Sequence, residues 1–171
     1  MDYEIKGLTT GDADAMFELV NEIKDEGKFL FATQRFRREG TPGYLESHIA
    51  AGNPVIGAFS EGDGLVGWAD FNPGGFEEIA HVASLGMGVR KAHRGRGLGR
   101  RLLAACVEQA RRLGLEKLEL EVFDSNAGAR ALYGAMGFVE EGRLRRKRKY
   151  QGRYEDLVCM ALFLLAPPDM D

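Results

Sequence analysis

Residues 89–100, Val-Arg-Lys-Ala-His-Arg-Gly-Arg-Gly-Leu-Gly-Arg, constrain this chain more than any other stretch. They follow an alternating apolar run and open a long helical pattern. Leu98, Leu102, Leu103, Cys106, Ala110 and Leu113 recur at helical spacing, and Gly114 ends the run. A strand that passes into a helix through Gly95, Gly97 and Gly99 leaves backbone N–H groups uncovered at the positive end of a helix dipole, with arginines on both sides. Such a turn suits a phosphate chain.

The flanking pattern places that turn in a mixed fold. Tyr3 to Leu8 alternates as a first strand. Thr9 or Thr10 caps a helix with Ala15, Met16, Leu19, Val20 and Ile23 on one face, and Gly27 follows its end. Thr41-Pro42 opens a second helix that stops near Gly52. Val55 to Phe59 and Leu65 to Phe71 are strands joined by the turn Glu61-Gly-Asp-Gly64, and Asn72-Pro-Gly-Gly75 is a further turn. His81 to Val89 reads as one strand, with a bulge expected at Gly86–Gly88. After the glycine turn, Leu118, Leu120 and Val122 alternate with charged residues. Asp124-Ser-Asn126 caps a fourth helix closed by Gly137, and a strand pair with Gln151-Gly152 in its turn ends the pattern. The strands ahead of the glycine turn imply antiparallel pairing, and the later strand–helix–strand unit a parallel crossover. The expected class is α+β, or mixed α/β, in one domain over 1–166 with a loose tail over 167–171.

Composition narrows the partners. The net charge of −3 argues against a dedicated nucleic-acid binder. Cys106 and Cys159 each sit in an apolar pattern and read as buried thiols, with no disulfide or metal site expected. The start Met1-Asp-Tyr-Glu lacks a basic, apolar leader, and the apolar run from Val158 to Ala166 is too short to span a bilayer. A cytoplasmic protein without a membrane partner is the expectation.

Three phosphate carriers fit a glycine turn to different degrees. A nucleoside-triphosphate loop requires Lys-Ser/Thr after its last glycine, but Arg100-Arg101 follow Gly99. A dinucleotide turn requires a glycine where Arg100 stands, although Glu119 is spaced as a ribose ligand. A bare structural turn would use three glycines at an entropic cost with no return. The third carrier is coenzyme A, and it rests on a resemblance. Arg94-x-x-Gly97-x-Gly99 resembles the pyrophosphate motif, Arg/Gln-x-x-Gly-x-Gly/Ala, of the GNAT superfamily of N-acetyltransferases. A second block, Asn126-x-x-Ala129-x-x-Leu132-Tyr133-x-x-x-Gly137-Phe138, resembles the family's later cofactor-binding helix and strand. The resemblance is strongest over 80–165.

That resemblance implies a central, mostly antiparallel sheet of about seven strands, flanked by four helices and splayed between strands 4 and 5. It implies acetyl-CoA as co-substrate and no metal. Met87, Gly88 and Val89 would line the pantetheine, and the Val89 N–H would face the acetyl carbonyl. Arg94, Gly95, Arg96, Gly97, Leu98, Gly99 and Arg100 would wrap the pyrophosphate. Asn126 would reach the pantetheine arm. Arg90, Lys91 and Arg130 would neighbour the 3′-phosphate. Gly88 and Lys91 depart from the larger apolar residue and proline of many members. Tyr133 occupies the position of the general acid beside the coenzyme A sulfur.

An amine acceptor must lose a proton before it attacks, so a base is needed. His81 lies an even number of residues before Val89 and titrates in a useful range. A structural histidine, or a carboxylate base among Glu78, Glu121 and Asp70, stays open. Phe29, Phe31, Phe36 and Arg35 could shape an acceptor pocket or pack as a surface cluster. The expected acceptor is a small-molecule primary amine, an amino acid or relative, attacked directly in a ternary complex. Arg143 to Lys149 holds six basic residues in seven and reads as a solvated or partner-facing hairpin. It could also bind an acidic peptide or nucleic acid, which keeps open a protein or peptide acceptor and a basic interaction module; a coenzyme-A-binding module without turnover and a homodimer also stay open.

Overall fold

The structure is a computed structural model that describes residues 2–31 and 37–165. The tail and the pocket candidates Arg35 and Phe36 lie outside the described residues. The elements run β1 (Tyr3–Gly7), α1 (Ala13–Asp25), α2 (Thr41–Ala50), β2 (Ile56–Ser60), β3 (Gly64–Pro73), β4 (Val82–Val89), α3 (Leu98–Arg112), β5 (Lys117–Phe123), α4 (Ala127–Ala135), β6 (Val139–Tyr150) and β7 (Arg153–Phe163). The strands form one seven-stranded sheet in the order β1-β2-β3-β4-β5-β7-β6. β4 and β5 pair in parallel; β1–β2, β2–β3, β5–β7 and β6–β7 pair antiparallel. The parallel ladder is short: Val82, Ala83 and Ser84 face Lys117, Leu118 and Glu119. A short ladder there is what a sheet splayed between strands 4 and 5 requires. No helix among the described residues is long and apolar enough to cross a membrane.

Two compact units make up the chain. The first joins Met1–Phe71 to Gly86–Gln109. Its first helical turn is closed by a capping box, in which the Thr9 N–H donates to Asp12 at 2.8 Å. α1 then buries Met16, Leu19, Val20 and Ile23 against Leu45 of α2 and Leu65 and Trp68 of β3. Burying each such side chain stabilises the fold by about 1.5–3 kcal/mol. The β2–β3 turn has Gly62 at φ 89° and Gly64 at φ 66°, conformations that side chains disfavour.

Close packing demands glycine at Gly86 and Gly88. A Cβ on Gly88 would lie 2.3 Å from Cζ3 of Trp68, and one on Gly86 would lie 2.9 Å from Oδ1 of Asp70.

The second unit joins Asn72–Leu85 to Ala110–Asp171. Leu118, Leu120 and Val122 of β5 are buried, and β5 pairs with β7 from Lys117–Phe163 to Phe123–Leu157. The β6–β7 turn has Gln151 at φ 48° and Gly152 at φ 78°, as a tight hairpin requires. The strand read as starting at His81 starts at Val82. His81 is an exposed turn residue whose carbonyl accepts from the N–H groups of Glu116 (2.9 Å) and Lys117 (3.3 Å). It anchors the start of the parallel ladder through its backbone, which alternation of side chains does not reveal.

Candidate active site

The glycine turn comes first because its backbone decides what it can hold. Gly95 and Gly97 have φ of 72° and 76°, and nothing stands within 4 Å of where their Cβ atoms would be. The left-handed conformation explains why glycine is used, and the open space leaves the backbone accessible. Gly95, Arg96, Gly97 and Arg100 are exposed, and Leu98 is buried as the first anchor of α3. The first α3 N–H groups therefore open outward beside cationic side chains. This arrangement fits an anionic phosphate chain.

The turn is held in place by three tethers. His93 is buried, with Nδ1 3.1 Å from the Tyr3 hydroxyl and Nε2 3.3 Å from Asp63. Arg90 donates to Glu22 and to the Asp63 carbonyl, each at 3.0 Å. Arg94, expected on the pyrophosphate, directs its side chain elsewhere. Its Nε donates to the Val89 carbonyl at 2.7 Å, both Nη atoms donate to Glu26, and its guanidinium stacks 4.8 Å from the Phe29 ring centroid. The Arg94 guanidinium beside Glu26 holds that carboxyl below the usual carboxylate range. Arg94 thus joins the end of β4 to the end of α1. Glu26 lies 68 residues away in sequence, which is why the motif alone suggested a phosphate ligand.

β4 presents its own edge next. The Arg90 N–H donates to the Val66 carbonyl at 2.8 Å, so by ladder alternation the backbone groups of Met87 and Val89 point away from β3. Arg94 already occupies the Val89 carbonyl. Gly86, Met87, Gly88 and Val89 are all partly exposed.

Beside this edge lies Asp70, one of the three carboxylates left open as a base by the sequence. Asp70 of β3 is buried, 6% exposed, and its Oδ2 accepts from the Tyr44 hydroxyl of α2. Burial pushes its pKa up; hydrogen bonds from Tyr44 and Trp68 and the nearby His48 act against that rise. The His48 ring lies 4.5 Å from that of Tyr44. The one signal in the sequence is a charged residue inside the apolar run Leu65 to Phe71. Cys106 is fully buried, and burial first, then Asp70, pushes its thiol pKa up. It is therefore a poor nucleophile.

In the second unit, Tyr133 is buried at the end of α4, with its ring 5.7 Å from that of Phe138. Burial pushes its hydroxyl pKa up to about 12. Asn126 caps α4: its Oδ1 accepts from the Ala129 N–H at 3.2 Å. Arg130 pairs with Asp124 at 2.8 Å, and Arg143 with the same carboxylate at 2.9 Å. Within the basic run, alternation breaks at Arg146, which has φ 51° and whose N–H donates to Asp156 at 2.8 Å. Arg148 is buried between the Phe123 and Tyr150 rings, 4.3 and 4.5 Å from their centroids. The run is thus tied into its own hairpin at several points.

Comparison with known proteins agrees with the two motif blocks. The family model of the acetyltransferase (GNAT) family matches residues 15–138. The chain is 28% identical to the L-amino acid N-acyltransferase MnaT of Escherichia coli over 162 residues, covering 94% of this chain and 93% of that protein. The solved yncA acetyltransferase of Salmonella typhimurium, with its cofactor acetyl-CoA, superposes with a TM-score of 0.89 at 25% identity, covering 100% of both chains. A ribosomal-protein-alanine N-acetyltransferase of Brucella melitensis superposes with a TM-score of 0.86 at 30% identity, covering 94% of this chain and 99% of that one. With its seven-stranded sheet, its glycine turn ahead of α3 and a family match over most of its length, the chain belongs to the acetyltransferase (GNAT) family.

Proposed function

We propose that this protein transfers the acetyl group of acetyl-CoA to the primary amine of an amino acid or related small molecule, by direct attack in a ternary complex. The open N-terminus of α3, with left-handed Gly95 and Gly97, carries the reading. The names of the compared proteins support it, since amino acid and protein alanine acceptors both offer an amine.

Acetyl-CoA supplies an activated thioester when bound. Backbone N–H groups of Gly95, Gly97, Leu98 and Gly99 hold its pyrophosphate, with Arg96 and Arg100 adding charge from the rim. Met87 and Val89 offer backbone groups to the pantetheine amides, and the Val89 N–H polarises the acetyl carbonyl. Tyr133 keeps its proton through the neutral range and donates it to the departing sulfur. Asn126 works through the α4 cap rather than as a free ligand. His81 has no proton-transfer role in this proposal. It is an exposed turn residue ahead of β4, and its carbonyl accepts from the Glu116 and Lys117 N–H groups. The reaction takes place in the cytoplasm.

The test combines two assays. Acetyl-CoA should raise the melting temperature, because a ligand at 100 times its Kd stabilises by about 2.7 kcal/mol. Thiol release should then accelerate with at least one member of a panel of free amino acids, amino acid analogues, polyamines and peptides. Stabilisation without thiol release from any amine would reject the transferase reading. Thiol release with peptides alone would reject the small-molecule acceptor.

A further inference from the structure

Asp70 stands out among the described carboxylates of the first unit because it is buried on an apolar strand and no described lysine or arginine pairs with it. Its donors are neutral: the Tyr44 hydroxyl on Oδ2 and the Trp68 indole N–H. Its Oδ1 lies against Gly86, where a Cβ would come within 2.9 Å. The strip of β4 at Gly86 and Gly88 is partly exposed, with Asp70 against the first glycine and the Trp68 ring against the second. Any larger residue at 86 would crowd the carboxylate and roof the strip. Three strand rises, about 10 Å, separate Gly86 from Val89, the span of one bridging amine or water chain. A buried carboxylate without a cationic partner beside a partly exposed strand is suited to receive a cation.

We propose that Asp70 receives the ammonium group of the acceptor and takes its proton, with Tyr44 holding the carboxylate in place. This assignment rests on the acetyl-transfer reading above and names its base and the cationic class of its acceptor. The proton moves from the ammonium to Asp70, and the freed nitrogen lone pair forms the bond to the acyl carbon of the thioester. The carbon–sulfur bond breaks, and sulfur receives the Tyr133 proton. The second nitrogen proton restores Tyr133 through solvent, and Asp70 releases its proton to solvent. The products are the amide, the free thiol and one proton.

Among the described residues, the titratable groups facing Asp70 are Tyr44 and His48 on α2 and Cys106 on α3; Gly86 on β4 carries none. Activity should therefore rise with pH as Asp70 loses its proton. Removing the Tyr44 hydroxyl removes a bond to the charged form, so this limb should move to higher pH.

The experiment measures kcat, acceptor KM and the pH profile of thiol release for the wild type, Asp70→Asn and Tyr44→Phe, using the best amine of the panel. Asparagine keeps the shape and an acceptor for Tyr44. We expect Asp70→Asn to lower kcat by roughly 10²–10³-fold, to lose the acidic limb and to retain acetyl-CoA affinity. Tyr44→Phe should keep most of kcat and shift the acidic limb upward. A wild-type limb with Asp70→Asn within threefold of wild type and the limb unmoved would overturn the assignment alone. If Asp70→Asn fails to fold, an unmoved limb in Tyr44→Phe overturns it and an upward shift upholds it. Absence of thiol release from the wild type with every amine would bring down the acetyl-transfer reading and this assignment with it.

Discussion

The helices that follow β4 and β5, α3 and α4, begin in opposite ways. α4 closes its own first turn: Asn126 accepts from the Ala129 N–H at 3.2 Å, and Arg130 is drawn back to Asp124. α3 is preceded by Gly95 and Gly97 in left-handed conformations with nothing over them. The difference separates two ways of treating orphan N–H groups. A side chain that caps a helix consumes the donors and serves stability. A glycine turn leaves them outward, at an entropic cost, and serves a ligand from outside. The cations near each end follow the same division. Arg130 belongs to an internal ion network, whereas Arg100 stays exposed at the α3 end.

Substitutions can break this contrast, and the largest effect is catalytic. Tyr133→Phe removes the hydroxyl proposed as proton donor at the end of the self-capped helix, and kcat should fall by roughly 10²–10³-fold while acetyl-CoA affinity holds. Steady-state kinetics with a binding titration checks this, and an unchanged kcat where chemistry limits the rate would remove Tyr133 as the acid. Next comes Gly97→Glu, which places a carboxylate and a disfavoured backbone conformation at the mouth of α3. Acetyl-CoA affinity should drop at least about 100-fold, about 2.7 kcal/mol.

A smaller effect belongs to the tether beneath the turn. Glu26→Gln leaves Arg94 without its charged partner and should cost about 1–2 kcal/mol of stability. Glu26 is held below its ordinary value near 4.5, so its contribution is complete above that pH and is lost as pH falls through its lower folded value. Urea midpoints across the acid range should therefore slope less in Glu26→Gln than in the wild type; equal slopes would contradict the pairing. The smallest effect is Asn126→Ala, about 1 kcal/mol of stability for a lost cap. Its acetyl-CoA affinity should stay within a few-fold of wild type, and a tenfold loss would restore Asn126 as a direct ligand.

Features set by neighbouring residues were legible in the sequence. The Gly95–Gly97 turn, the Glu61–Gly64 and Gln151–Gly152 hairpins and the Asn126 cap each need a particular residue for a local φ or a local donor, and each was readable by spacing. Features set by distant partners were not. Arg94 looked like a phosphate ligand because Glu26 is remote in sequence. The approach of Asp70 to Gly86 and of Trp68 to Gly88 leaves no periodic trace. His81 continued the alternation of β4, yet its place is decided by backbone pairing with Glu116 and Lys117 on another segment. The Tyr44–Asp70 pair joins a helix to a strand across 26 residues and leaves only one hint, an acidic residue where an apolar one would fit.

The most direct measurement is calorimetric titration of acetyl-CoA into the wild type and Gly97→Glu, with thermal melting of both proteins as the control for folding. The open α3 terminus predicts saturable binding to the wild type and at least about a 100-fold weaker Kd in a folded Gly97→Glu. Equal affinity in the two folded proteins would contradict the assignment of this turn to the phosphate chain.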